Sequence, residues 1–348
     1  MKTSNVGNKY GNWVFIVPIS NLFLSDKLNK EYQIGRVSFI SSDKLPRIRK
    51  RLGFYKKLSE IKKRFYIDFF GCTKTYAVYR ITGKPNEIRN NCLNAIREAL
   101  YILCTSQLGF SQRLSHSRFG IYGEHISQKS YVLFSSSHSD DSLMNFTSID
   151  SPIPLELNGL WKNYQDKIFF SRLMNIINGK IYVNKYWRSQ LKRAAILIGK
   201  GMQSYDVPSS FLNNMIALEI LLTKQGDKYS QVLPERIEAF LGWAGYWETH
   251  NFEPKINRIY DLRCEFVHNG IFDNITESDL LFTDELLLNL LTNLCSHPIT
   301  FQTKDDVISF SDKVKAEKLL GGKRKIRPKK LVFLRQRTIK TKTKTKII

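Results

Sequence analysis

The chain has 348 residues, 42% hydrophobic and 24% charged, which excludes wholesale disorder. At roughly 100–200 residues per domain, that length predicts two domains. Its 54 basic and 31 acidic residues leave a net charge of +23, which points to a polyanionic partner.

In chain order, residues 1–150 read as a mixed α+β domain. Asn12–Pro18 and Tyr32–Ile40 are rich in aromatic and β-branched residues, as are Phe65–Phe70 and Thr75–Ile81, and each predicts a strand. Between them, Lys44–Arg64 holds ten basic residues and one acid. Pro85 opens a helix on which Ile88, Cys92, Ile96, Ala99, Leu100 and Leu103 recur at helical spacing, with Gly109 beyond its end. Tyr131–Phe134 predicts a further strand. The polar run Ser135–Ser142 and the SPIP at Ser151–Pro154 mark a domain boundary near residue 150.

Residues 155–300 read as a helical bundle. Trp187, Leu191, Ala194, Ala195, Ile198 and Met202 form one apolar stripe. Pro208 opens a second helix that Gly226 closes, and Ser230–Trp243 gives a third. Pro254–Val267 is the fourth, ended by Asn269-Gly270 as a left-handed cap, and Glu277–Cys295 the fifth. The fold class is therefore α+β, a mixed domain followed by an all-α bundle. Residues 321–348 carry twelve basic residues and no acid, with almost nothing apolar to bury, and read as a disordered basic tail.

The two basic segments carry +9 and +12, so the remaining 299 residues hold only +2. Nucleic acid is the polyanion they fit best, through Arg47, Arg49, Lys50, Arg51, Lys56, Lys57, Lys62, Lys63 and Arg64 in the first segment. Lys323, Arg324, Lys325, Arg327, Lys329 and Lys330 would serve in the second. Tyr55, Phe65 and Tyr66 interleave with the first run and could stack on bases or face a strand's core. An anionic membrane surface is a further partner for the tail, without a lipidation motif to support it.

The fourth predicted helix carries the chemistry. On a helical wheel Ile256, Ile259, Tyr260, Phe266 and Val267 cluster, and Arg263 falls inside that cluster. A guanidinium in an apolar arc needs a carboxylate, a phosphate or a subunit interface. In the second helix MIALEILL has one charge, Glu219, flanked by apolar neighbours, and the two form a candidate ion pair. His268 follows Arg263 by five residues, which projects the two side chains ~140° apart on an ideal helix. On a structural reading, Arg263 only bridges to Glu219 while His268 caps the last carbonyls of its helix.

Arg263, four residues, then His268, within YDLRCEFVHNG, resembles the signature of HEPN domains. The Ala217–Leu222 helix ALEILL, preceding YDLR and VHNG, resembles the Apea-like HEPN branch over roughly residues 185–297. Residues 1–150 carry no such resemblance. Many active HEPN members have a polar residue after the arginine, where this chain has Cys264, although the branch resembled tolerates small residues there.

The resemblance implies a metal-independent endoribonuclease, with Arg263 and His268 catalytic at a homodimer interface and Glu219, Cys264 and Tyr260 in support. It also implies a growth-arresting or antiphage defence effector, answering to a protein trigger or a neighbouring defence component. Residues 1–150 would then sense that trigger or select the RNA. The alternative is a non-catalytic nucleic-acid-binding or dimerisation module.

Other chemistry finds no motif. His116, His125 and His138 lack partners at metal-ligand spacing, and His250 and His297 flank helices. Neither a P-loop nor a GxGxxG occurs, so no cofactor is expected. No apolar run reaches the ~18 residues of a membrane span, and the N-terminal residues lack the apolar core of a secretory leader. The five cysteines, Cys72, Cys92, Cys104, Cys264 and Cys295, are an odd number without CxxC spacing. These features predict a cytoplasmic protein with reduced thiols and no integral membrane contact.

Overall fold

A computed structural model describes residues 10–53, 57, 71–109, 116–124, 130–133, 145–148, 153–241 and 252–321. The chain divides into two compact units. Met1–Leu100 with Ser117–Gly159 form the first, and Tyr101–His116 with Leu160–Ile348 form the second. The chain is α+β, as its patterning predicts.

The first unit is built on a five-stranded antiparallel sheet. Its strands are β1 (Gly11–Ser20), β3 (Glu31–Ile34), β4 (Val37–Ser41), β5 (Thr75–Gly83) and β6 (Gly120–Ile121), in the order β3-β4-β5-β1-β6. The predicted single strand Tyr32–Ile40 is a hairpin instead. Gly35 takes a positive φ of 58°, and Ile34 pairs with Val37 across a two-residue turn. Between β1 and β3, β2 (Leu22–Leu24) pairs in parallel with β9 (Leu155–Leu157), while β7 (Ser130–Leu133) pairs with β8 (Asn145–Ser148).

Alternation along β1 turns Val14 and Ile16 to one face. They pack there against Ile40, Leu45, Leu52, Tyr76 and Val78, beneath the single-turn helix α1 (Leu45–Ile48). The first part of the basic run is thus anchored by its own apolar residues, Leu45, Ile48 and Leu52. The predicted strand Phe65–Phe70 lies outside the described residues.

Helix α2 (Pro85–Cys104) runs from the first unit into the second. Next come α3 (Gly159–Lys167) and α4 (Phe170–Ile177), neither of which the sequence patterning resolves. The second unit continues with α5 (Lys185–Gln203), α6 (Val207–Leu222), α7 (Tyr229–Leu241), α8 (Phe252–Cys264), α9 (Glu277–Ser296) and α10 (Lys304–Leu319). The five predicted helices correspond to α5 to α9.

Caps set several ends: Asn184 starts α5, Asp206 starts α6, and capping boxes at Thr276/Asp279 and Thr303/Asp306 start α9 and α10. The core holds Trp187, Leu191, Phe211, Leu218, Phe240 and Leu287, each worth about 1.5–3 kcal/mol of burial. One seam of that core is polar. Asn214 Nδ2 donates to Thr283 Oγ1 at 2.9 Å and to Asp284 Oδ1 at 2.7 Å, fixing α6 against α9.

Candidate active site

Helix α6 is apolar nearly all round, so Glu219 is carried into the interior at 8% exposure. Helix α8 packs beside it and supplies the partner. Arg263 Nη2 donates to Glu219 Oε2 at 3.0 Å, and Nε lies 2.8 Å from Oε1. One edge of the guanidinium faces the carboxylate, and among the described residues its Nη1 makes no hydrogen bond or ion pair; the side chain keeps 16% exposure. Burial works against the charge of Arg263, but the hydrogen bond and charge of Glu219 outweigh it and raise its pKa above the ordinary guanidinium value.

Tyr260 and Cys264 complete the cluster. Burial, a hydrogen bond with the Cys264 thiol and the charge of Glu219 push the Tyr260 phenol up to about 12, against an opposing pull from Arg263. Tyr260 is therefore a neutral hydrogen-bonding group, not a base, at neutral pH. Cys264, the residue after the arginine, lies beside Tyr260 in this cluster.

His268 does not join that cluster. It lies exposed in a π turn, Glu265–Asn269, that follows α8 directly. A π turn advances fewer degrees per residue than the ~100° of an α-helix, so Arg263 and His268 stand angularly closer than the ~140° of an ideal helix. The predicted apolar arc is buried only in part. Ile256 and Ile259 are buried, Tyr260 and Phe266 are half-buried, and Val267 is 47% exposed. Gly270, with φ 68°, ends the turn in the left-handed region, and Ile271 N–H reaches back to the Glu265 carbonyl at 3.3 Å.

Beyond the turn, Ile271 and Phe272 are 45% and 46% exposed, and the Phe272 ring packs 5.6 Å from that of Phe266. Exposed apolar residues thus flank His268 in the chain on both sides, Val267 before it and Ile271 and Phe272 after it. Sequence patterning passes over Ile271 and Phe272, although two large apolar residues directly after a cap glycine are its signal.

Of the candidate nucleic-acid residues, Arg47, Lys50 and Lys57 are exposed. Arg49 is half-buried and donates to the Pro46 carbonyl at 3.0 Å. Arg51 is 2.5 Å from Glu31, which also pairs with Lys44 at 3.1 Å. Burial pushes the Glu31 carboxyl up, but the two cations outweigh it and hold it below its ordinary value. Lys56, Lys62, Lys63 and Arg64 lie outside the described residues, with Tyr55, Phe65 and Tyr66. So do Lys323, Arg324, Lys325, Arg327, Lys329 and Lys330, with the rest of the predicted tail beyond Gly321.

His116 is buried and His297 half-buried, while His125, His138 and His250 lie outside the described residues. Among the described residues no three His, Cys, Asp or Glu side chains group as metal ligands would, and no helix is long and apolar enough to cross a membrane. The chain matches no family model, no curated protein and no solved structure.

Proposed function

We propose that the chain is a metal-independent endoribonuclease of HEPN type, acting as a homodimer through the α8 face and serving as a growth-arrest or antiphage effector. The observation that carries this reading is the pairing of a clamped, permanently charged Arg263 with an exposed His268 one π turn away. RNA supplies its own nucleophile. The 2′-oxygen attacks the adjacent phosphorus, the bond to the 5′-oxygen breaks, and the 2′-proton passes to a base while an acid protonates the leaving oxygen.

Histidine titrates near neutrality and serves either proton transfer. Arg263, held along its Nε/Nη2 edge by Glu219, offers Nη1 to the phosphate oxygens that gain charge in the transition state. A second copy docked on Val267, Ile271 and Phe272 brings a second arginine and histidine to the same groove.

The test is cleavage of total RNA by the full chain in EDTA. Wild type should release fragments with 2′,3′-cyclic phosphate and 5′-hydroxyl ends. His268→Ala should cost ~10²–10⁴-fold, as loss of a proton-transfer group does, while leaving RNA affinity little changed. Equal cleavage by His268→Ala would sink the reading. The ion pair itself favours one alternative, a non-catalytic binding module in which Arg263 is a strut. That reading expects no His268-dependent fragments.

A further inference from the structure

The first unit holds a cleft of ≈ 570 Å³ at the hairpin end of its sheet. Strand pairing assembles it from residues far apart in sequence. Val14 lies opposite Arg80 across β1 and β5, and Val37 opposite Tyr79 brings the turn residue Arg36 to the same end. Val14 and Leu52 give an apolar floor that belongs to the unit's core. Gly53 closes one side with a φ of 93°, a conformation that favours glycine, and the space where its Cβ would stand is 3.5 Å from Val14 Cγ2.

The charge of this cleft is one-sided. Arg36 and Arg80 line it, and among the described residues no Asp or Glu does. Both arginines are exposed, and among the described residues neither forms an ion pair. Arg80 is held in place by a hydrogen bond from Nη2 to the Arg51 carbonyl. Lys44 and Arg51 of the adjacent basic run differ, because Glu31 already compensates them. Two uncompensated guanidinium forks over an apolar floor match a phosphodiester with its ribose or base resting on the floor. A concave site admits a nucleotide of a single strand, whereas a stacked duplex meets only its rim.

We infer that this cleft binds the backbone of single-stranded RNA through Arg36 and Arg80, and so is a substrate-holding site of the first unit. The inference rests on the ribonuclease reading for its choice of polyanion. The experiment uses the full chain carrying His268→Ala, so that the probe survives, and a fluorescein-labelled oligouridylate titrated by anisotropy over a potassium chloride series. Adding Arg36→Ala and Arg80→Ala together should weaken binding about tenfold and flatten the log–log salt slope by about 1.4, at ~0.7 per phosphate contact on a single strand.

Arg36→Lys with Arg80→Lys should restore the slope and only part of the affinity, because the charge returns without the fork. Unchanged affinity and slope in the alanine variant overturn the cleft, as does an equal loss on a duplex probe of the same length. The two readings fail separately. His268-dependent cleavage that survives Arg36→Ala/Arg80→Ala undiminished removes the cleft and spares the nuclease. Arginine-dependent binding without any His268-dependent cleavage removes the nuclease and spares the cleft.

Discussion

Arg263 commits one edge of its guanidinium to Glu219, and this makes the simplest experiment on it ambiguous. Arg263→Ala leaves a carboxylate at 8% exposure without its counter-ion, so lost cleavage could mean a lost clamp or a loosened bundle. Removing both partners separates the two. Arg263→Ala alone should cost about 2–4 kcal/mol of stability, and Arg263→Ala/Glu219→Ala should cost less than the sum of the single changes. Urea unfolding reads this directly. The double variant should regain stability yet remain inactive on RNA; regained cleavage would mean that the arginine acts only as a strut. The pair is legible in sequence because each member is a lone charge in an apolar arc. The influence of Cys264 on Tyr260 is not, since a phenol and a thiol four residues apart carry no pattern of their own.

At the scale of elements, close approach decides what the bundle tolerates. Gly199 lies buried on α5, and a Cβ there would stand 1.7 Å from the Tyr101 carbonyl oxygen. Backbone cannot swing aside as a flexible side chain can. Gly199→Ala should therefore destabilise the second unit by about 1–3 kcal/mol or more, although alanine is the better helix former, and a lowered urea midpoint checks it. Helix α5 is legible because its apolar stripe recurs over several turns, and α9 because a leucine-rich run follows opening acids.

Three other elements show where legibility ends. The β3–β4 hairpin reads as one strand because its turn takes only Gly35 and Arg36, and the residues on both sides share the β-forming character of a single strand. The π turn leaves no mark in the apolar pattern, which continues through it to Phe266 and Val267. Yet its smaller rotation per residue sets His268 angularly nearer Arg263 than a continuous α-helix would, and Val267 within it lies exposed. Arg36 and Arg80 escape notice because only the sheet register makes neighbours of residues 44 positions apart.

Over the whole molecule, the exposed apolar patch and the charge fit one arrangement. The body is nearly neutral while the basic segments hold +21, so two copies can meet on Val267, Ile271 and Phe272 without strong mutual repulsion from that face. A shared groove makes a prediction that a single-chain site cannot. On that reading Arg263→Ala and His268→Ala should each be inactive alone, but a mixed dimer would hold one intact arginine and one intact histidine. Unfolding and refolding the two together should give mixed dimers in about half the population by random pairing. His268-type cleavage should then reappear, below the wild-type level. Phe272→Glu places a charge in the patch and should yield a monomer by sedimentation, with cleavage lost and RNA affinity kept. Sedimentation of wild type as a monomer at tens of micromolar, with RNA or without, together with no recovery on mixing, would remove the composite site.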